Sequence, residues 1–128
     1  MGELMTGINW LAVGIGTVLS FCLGAMWFSP VMFGQKWAAG VGVKAGEGAT
    51  QPFALLLQFV GTLLLAWLVG IAAANEALLL AALLALTVSL LLGASDLLAG
   101  SSRYAAVVEG AFPIVMVVIM VLCHIVLP

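Results

Sequence analysis

Among the five acidic and three basic residues of this 128-residue chain, Glu109 stands where a charge is least expected. It falls inside the apolar run 104–127, roughly 7 Å from the start of that run at a helical rise of about 1.5 Å per residue. An ionisable group within such a run is expensive, which makes it the first place to look for function. Pro113 follows four residues later and cannot donate the helical hydrogen bond to the carbonyl four positions back, which is that of Glu109. The segment Glu109-Gly110-Ala111-Phe112-Pro113 thus joins a carboxyl group, a freed backbone acceptor and a point where a helix can bend. Holding the carboxyl protonated at pH 7 costs roughly 3.7 kcal/mol from an ordinary pKa of about 4.3. Insertion of a charged side chain at mid-helix costs about 2.5 to 3.5 kcal/mol. Neither form clearly dominates, so Glu109 is a candidate proton or cation site, with Pro113 and Gln58 as companions. The plainer alternative is a carboxyl that reaches interfacial water or bonds Ser, Thr or Gln58 on a neighbouring helix.

Other polar groups carry less. Asp96 and Arg103 flank a short connection, where a salt bridge would staple a hairpin for at most about 1 kcal/mol. Arg103 and Glu109, six residues apart, face away from each other by about 240° on an ideal helix. His124 is the single histidine, and one histidine makes neither a zinc nor a bis-histidine haem site. It reads as an interfacial polar residue. Cys22 and Cys123 belong at different depths, about 20 Å and about 5 Å from the surface nearest the termini by helical rise, so no disulfide between them is expected. Thr17, Thr62, Thr87 and Ser89 are hydroxyls of the kind that bond across helices for about 0.6 kcal/mol. Neither a catalytic Ser/His/Asp set nor a Gly-rich phosphate loop between strand and helix appears. No cofactor and no metal are predicted, and the residues specify no enzyme.

The elements that must position Glu109 follow from composition. Hydrophobic residues make up 66% of the chain and charged residues 6%, with mean hydropathy +1.36. Soluble domains carry about 25% charged residues, so the outer shell here must be lipid. A net charge of −2 with scattered basic residues offers nothing to nucleic acid or to a polybasic lipid site. The predicted fold is an all-α integral membrane four-helix bundle, a single transmembrane domain over residues 1–128. Its helices are expected at about 8–28, 52–74, 77–95 and 104–127, with an interfacial segment and loop at 29–51. The first apolar run lacks a basic n-region and a small-residue cleavage site, and is read as a retained helix. Short connections favour antiparallel neighbours.

Trp10, Trp27, Phe28, Phe33, Trp37 and Tyr104 are expected at the headgroup level, where amphipathic rings anchor. Ser29-Pro30 ends the first helix, and Gly40, Gly42, Gly46 and Gly48 with Lys44 and Glu47 read as a polar, flexible loop. Basic residues stay cytoplasmic in short loops. Lys36, Lys44 and Arg103 share one side, and the termini and the Asn75-Glu76 turn carry no Lys or Arg. Both termini are therefore predicted outside. Ser20-Phe21-Cys22-Leu23-Gly24-Ala25 aligns without gaps to Ser89-Leu90-Leu91-Leu92-Gly93-Ala94. Gly16, Ser20 and Gly24 recur at four-residue spacing on the first helix, as do Ala85, Ser89 and Gly93 on the third. Such stripes let backbones approach closely, and a close contact between the first and third helices is expected.

Asn9-Trp10, then Leu23-Gly24-Ala25-Met26-Trp27-Phe28-Ser29-Pro30, then Phe33-Gly34 and Trp37, form a fairly specific combination. With it the chain resembles the small bacterial four-helix membrane proteins known only as domain of unknown function 1761. The likeness is close over about 30 residues; beyond them it lies in helix count and a short basic turn before the last helix. Family members tend to carry Asn-Ala-Gly-aromatic early in that helix, where this chain has Glu109-Gly110-Ala111-Phe112. The resemblance implies a four-helix membrane fold, here expected in a bacterial inner membrane, and assigns no activity.

Three functions compete. The small-residue stripes favour a bundle in lipid that self-associates as a homo-oligomer or serves as a subunit of a membrane complex. Chain length and helix count are similar to those of the small multidrug-resistance proteins, proton-coupled dimers whose essential Glu lies in the first helix. Glu109 would do that work from the fourth. Arg103, Glu109 and Pro113 also resemble a run in the second helix of the glutathione-linked membrane transferases, without the accompanying Asn.

Overall fold

The structure, a computed structural model, describes residues 2–29, 32–42 and 52–128. Four helices are long and apolar enough to span a membrane: α2 (Trp10–Trp27), α4 (Pro52–Ala74), α5 (Leu78–Leu98) and α6 (Arg103–Val126). Two shorter ones, α1 (Gly2–Met5) and α3 (Gly34–Val41), precede and follow α2. The chain is an all-α membrane protein with no strand among its described residues. The expected Pro30 break and the Lys44, Gly46, Glu47 and Gly48 stretch of the loop lie outside the described residues.

Three of the four spans start for a local reason. The Asn9 side chain accepts from Ala12 N at 3.2 Å, capping a free N–H of the first turn of α2. Ser102 does the same for α6, accepting from Ala105 N at 3.1 Å. Its own N–H donates to the Gly40 carbonyl at 3.0 Å, tying the end of α3 to the start of α6. At α4 the entry is Pro52, whose missing N–H costs nothing in a first turn. Gly42 ends α3 in the left-handed conformation at φ 85°, which suits a residue without Cβ. The sequence reading placed Gly40 in a flexible loop, but it lies inside α3. A Cβ there would run into Ser102 Oγ, so glycine allows a helix-to-helix approach rather than a flexible chain.

α6 is the core of the bundle. It packs against α2, α3, α4 and α5, and half of its most apolar stretch is buried, against about a tenth for α5. Val13, Val69, Ala66, Ala81, Ala85, Phe112, Met116, Val117 and Met120 form the interior cluster. Pro113 is buried within α6, which stays helical on both sides of it.

The expected close contact between the first and third spans does not form. α2 packs on α4 and α6, and α5 packs chiefly on α6. The small residues are used, but toward the last helix. A Cβ on Gly16 would meet Met120 Cγ at 3.4 Å, and one on Gly24 would meet Phe112 Cζ at 2.9 Å. Ser89 and Gly93 face α6 too: a Cβ on Gly110 would meet Ser89 O at 3.2 Å, and one on Gly93 would meet Ala106 O at 3.8 Å. Small residues at four-residue spacing fix which face of a helix can be approached, not by which neighbour.

The two ends of the bundle have distinct aromatic sets. Near the termini, Trp67 Nε1 donates to Leu4 O at 2.7 Å, and the Trp10 and Trp67 rings lie 5.6 Å apart. Asn9 Nδ2 donates to Leu127 O at 3.2 Å, which puts the beginning and end of the chain at the same end of the bundle. At the opposite end lie Trp27, Phe28, Phe33, Trp37 and Tyr104.

Candidate functional site: the Glu109 carboxyl and its aromatic surround

At the far end from the termini, the chain turns sharply after α2. Met32 N and Gly34 N both donate to Ser29 O, at 3.1 and 2.8 Å, and Phe33 N donates to Trp27 O at 3.3 Å. The reversal lays α3 against α6 and sets Trp37 over it. Trp37 Nε1 donates to Glu109 Oε1 at 2.8 Å, so a helix outside the long spans is bonded to a carboxylate inside one. Trp27 Nε1 donates to the Val108 carbonyl at 3.0 Å. The acceptor freed by Pro113 is the neighbouring Glu109 carbonyl, one position on.

Aromatic rings pack together beside this point. Trp27 meets Phe33 at 4.7 Å and Phe112 at 5.9 Å between centroids. Phe28 meets Trp37 at 4.6 Å and Phe112 at 5.3 Å. Phe112 is buried and the other four rings are half-buried, as is Glu109. Nearby, Lys36 Nζ sits 4.6 Å above the Tyr104 ring, a cation–π contact of about 0.5 to 1 kcal/mol where exposed.

Asp96, on α5, lies near Glu109, and its Oδ2 is buried without a hydrogen-bond partner. Arg103, expected to staple Asp96 through a salt bridge, is exposed at the head of α6. Asp96 stands two residues before the end of α5 and Glu109 six after the start of α6. The difference is about one helical turn of depth, which two acidic side chains span. The shortness of the α5–α6 connection is the signal in the sequence for that proximity.

The other candidates separate. Gln58 is exposed on α4, where its backbone carbonyl accepts from Thr62 Oγ1 at 2.7 Å, and its side chain is not joined to Glu109. Thr17 and Thr87 bond back to carbonyls of their own helices. Ser20 is fully buried and its Oγ has no partner. His124 lies at the terminal end with Nε2 buried and unpartnered, beside Gly70, whose absent Cβ would come within 3.3 Å of the imidazole. Cys22 is exposed and Cys123 buried, both free thiols. No group of three or more metal-ligating side chains occurs among the described residues.

Among the described residues the hydrogen-bond donor to Glu109 is a neutral indole, and Asp96 is its acidic neighbour. No curated protein and no solved structure matches the chain. A family model does match, over residues 11–125, which takes in the four long helices but for their end residues Trp10 and Val126, and the chain belongs to that family, described as protein of unknown function (DUF1761).

Proposed function

We propose that this membrane protein is a small proton-linked carrier, working as an oligomer, in which Glu109 takes up and releases the proton. The observation that carries the reading is the 2.8 Å bond from Trp37 to Glu109. A hydrogen bond to a charged group is worth about 1.5 to 3 kcal/mol and one to a neutral group about 0.5 to 1.5. Protonating Glu109 therefore weakens the hold on α3 by about 1 kcal/mol, a several-fold change in how often that helix is released. Charge in the span and position of an adjoining helix become linked.

The orientation that fits has the α2–α4 and α5–α6 connections cytoplasmic, by their basic residues, and both termini outside. The test is a set of vesicles carrying the purified protein and a trapped pH dye, challenged with small amines, carboxylates and neutral amino acids. One class moves protons through the native protein and none through Glu109→Gln. A proton signal that survives in Glu109→Gln, or none from any class, overturns the reading.

Self-association or service as a subunit, without transport, is the second reading. It draws on Gly14 and Gly61, which face outward with nothing within 4 Å of where a Cβ would be. Such notches admit a second helix in lipid. The stripes first read as association surfaces lend it less, being used within the chain against α6.

A further inference from the structure

At the end of the bundle that gathers the termini, far from Glu109, two hollows adjoin. One, of about 420 Å³, runs between α5 and α6 and is lined only by apolar side chains, within residues 78–86 and 114–122. Ala85 and Val117 are buried at its floor, and Leu86, Val118 and Leu122 stand about half exposed at its rims. The other, of about 590 Å³, is lined by Glu76 and His124 among apolar neighbours. Leu78 lines both, so together they form one groove with a polar mouth and an apolar slot. The slot follows α5 for eight residues, about 12 Å at helical rise.

The mouth has polar groups with nothing to bind. His124 Nε2 is buried there without a hydrogen-bond partner, and a buried polar atom left unbonded is costly. Glu76 is exposed and holds φ 52°, a conformation in which glycine would be cheaper, yet a carboxylate occupies it. The basic residues described, Lys36 and Arg103, belong to α3 and the start of α6, at the opposite end.

The slot alone selects nothing, because bilayer tails are as apolar as its walls. Selection falls to the mouth, which asks for positive charge and N–H donors. A second copy in the same orientation brings no Lys or Arg to that end among the described residues. An anionic headgroup is repelled by Glu76, and a quaternary one has charge but no N–H. A primary ammonium has both, and on a phospholipid it comes with a chain for the slot.

We propose that this groove binds an amine-headed phospholipid of the phosphatidylethanolamine type, its ammonium at Glu76 and His124 Nε2 and one acyl chain between α5 and α6. The site is separate from Glu109 and does not rest on the carrier reading.

The test is native mass spectrometry of the full chain in mild detergent, offered phosphatidylethanolamine and phosphatidylcholine with identical acyl chains in equal amounts. The expected result is one phosphatidylethanolamine per chain, favoured roughly tenfold, as a hydrogen bond to a charged group allows. Glu76→Gln should abolish the preference. Ala82→Phe, which fills the slot from an exposed position, should lower occupancy by either lipid severalfold. Both variants change exposed side chains, and unchanged far-ultraviolet helicity verifies their fold. Soluble phosphoethanolamine at the same concentration should displace nothing. Equal binding of the two lipids, a preference that survives Glu76→Gln, or occupancy unchanged in Ala82→Phe overturns the proposal. So does displacement by phosphoethanolamine, which marks a site for the free headgroup, or a dimer of the chain in place of bound lipid, which gives the groove to a second copy.

Discussion

Glu109 and Trp37 work as a pair that neither residue announces alone. The acid was legible in the sequence because it interrupts an apolar run. The tryptophan was not, because an indole near a span end is accounted for by the headgroup region, and nothing in its spacing says that its N–H is spent on a carboxylate. Asp96 was likewise given to Arg103, since sequence shows which charges are near in the chain and not which rotamer a crowded helix pair allows. The pair makes a measurable prediction. Trp37→Phe removes the donor and leaves a half-buried carboxylate unbonded, a cost of about 1 to 3 kcal/mol, whereas Glu109→Gln keeps an acceptor for the same indole and costs about 1 kcal/mol. Thermal unfolding in mild detergent at neutral pH should therefore rank Trp37→Phe below Glu109→Gln. In the double variant the two losses should sum to more than is observed, because both act on one bond.

At the scale of elements, the four apolar spans were readable because hydropathy marks length, whereas the caps at Asn9 and Ser102 were not. What hydropathy could not give was who packs on whom. Gly16 and Gly24 share a face whichever helix covers it, and the covering helix proved to be α6, whose Met120 and Phe112 fill the gaps. Gly24→Leu should accordingly destabilise the bundle by about 1 to 3 kcal/mol, as overpacking does. Gly14→Leu, on an open face of the same helix, should leave monomer stability within about 0.5 kcal/mol but lower the oligomer fraction if that face is shared. Thermal melts and cross-linking read the two effects apart. The short helix α3 was the element that sequence missed, because its glycines look like loop. Gly40→Val would drive a side chain into Ser102 and Ala105. The expected consequence is undocking of α3 with the four spans intact, seen as a red shift of Trp37 emission without loss of far-ultraviolet helicity.

The whole molecule has two unlike ends. One gathers the termini, bonded through Asn9 and Leu127, with Trp10 and Trp67. The other gathers the basic residues described, Lys36 and Arg103, with Glu109, Asp96 and the aromatic rings beside them. That arrangement makes orientation a functional matter, since it decides from which side Glu109 is reached. With the native cysteines replaced, Gly2→Cys should react with a membrane-impermeant maleimide on intact cells, and Ser101→Cys only after permeabilisation; the reverse pattern would invert the assignment. The account as a whole depends on the protonation of one side chain moving one helix. Labelling with 5-fluorotryptophan gives each indole its own fluorine resonance, and the signal of Trp37 is the one lost in Trp37→Phe. In lipid nanodiscs that resonance should shift with pH along a single carboxyl titration, and should stop shifting in Glu109→Gln. A Trp37 signal indifferent to pH, or one that titrates unchanged without the Glu109 carboxyl, would contradict the account.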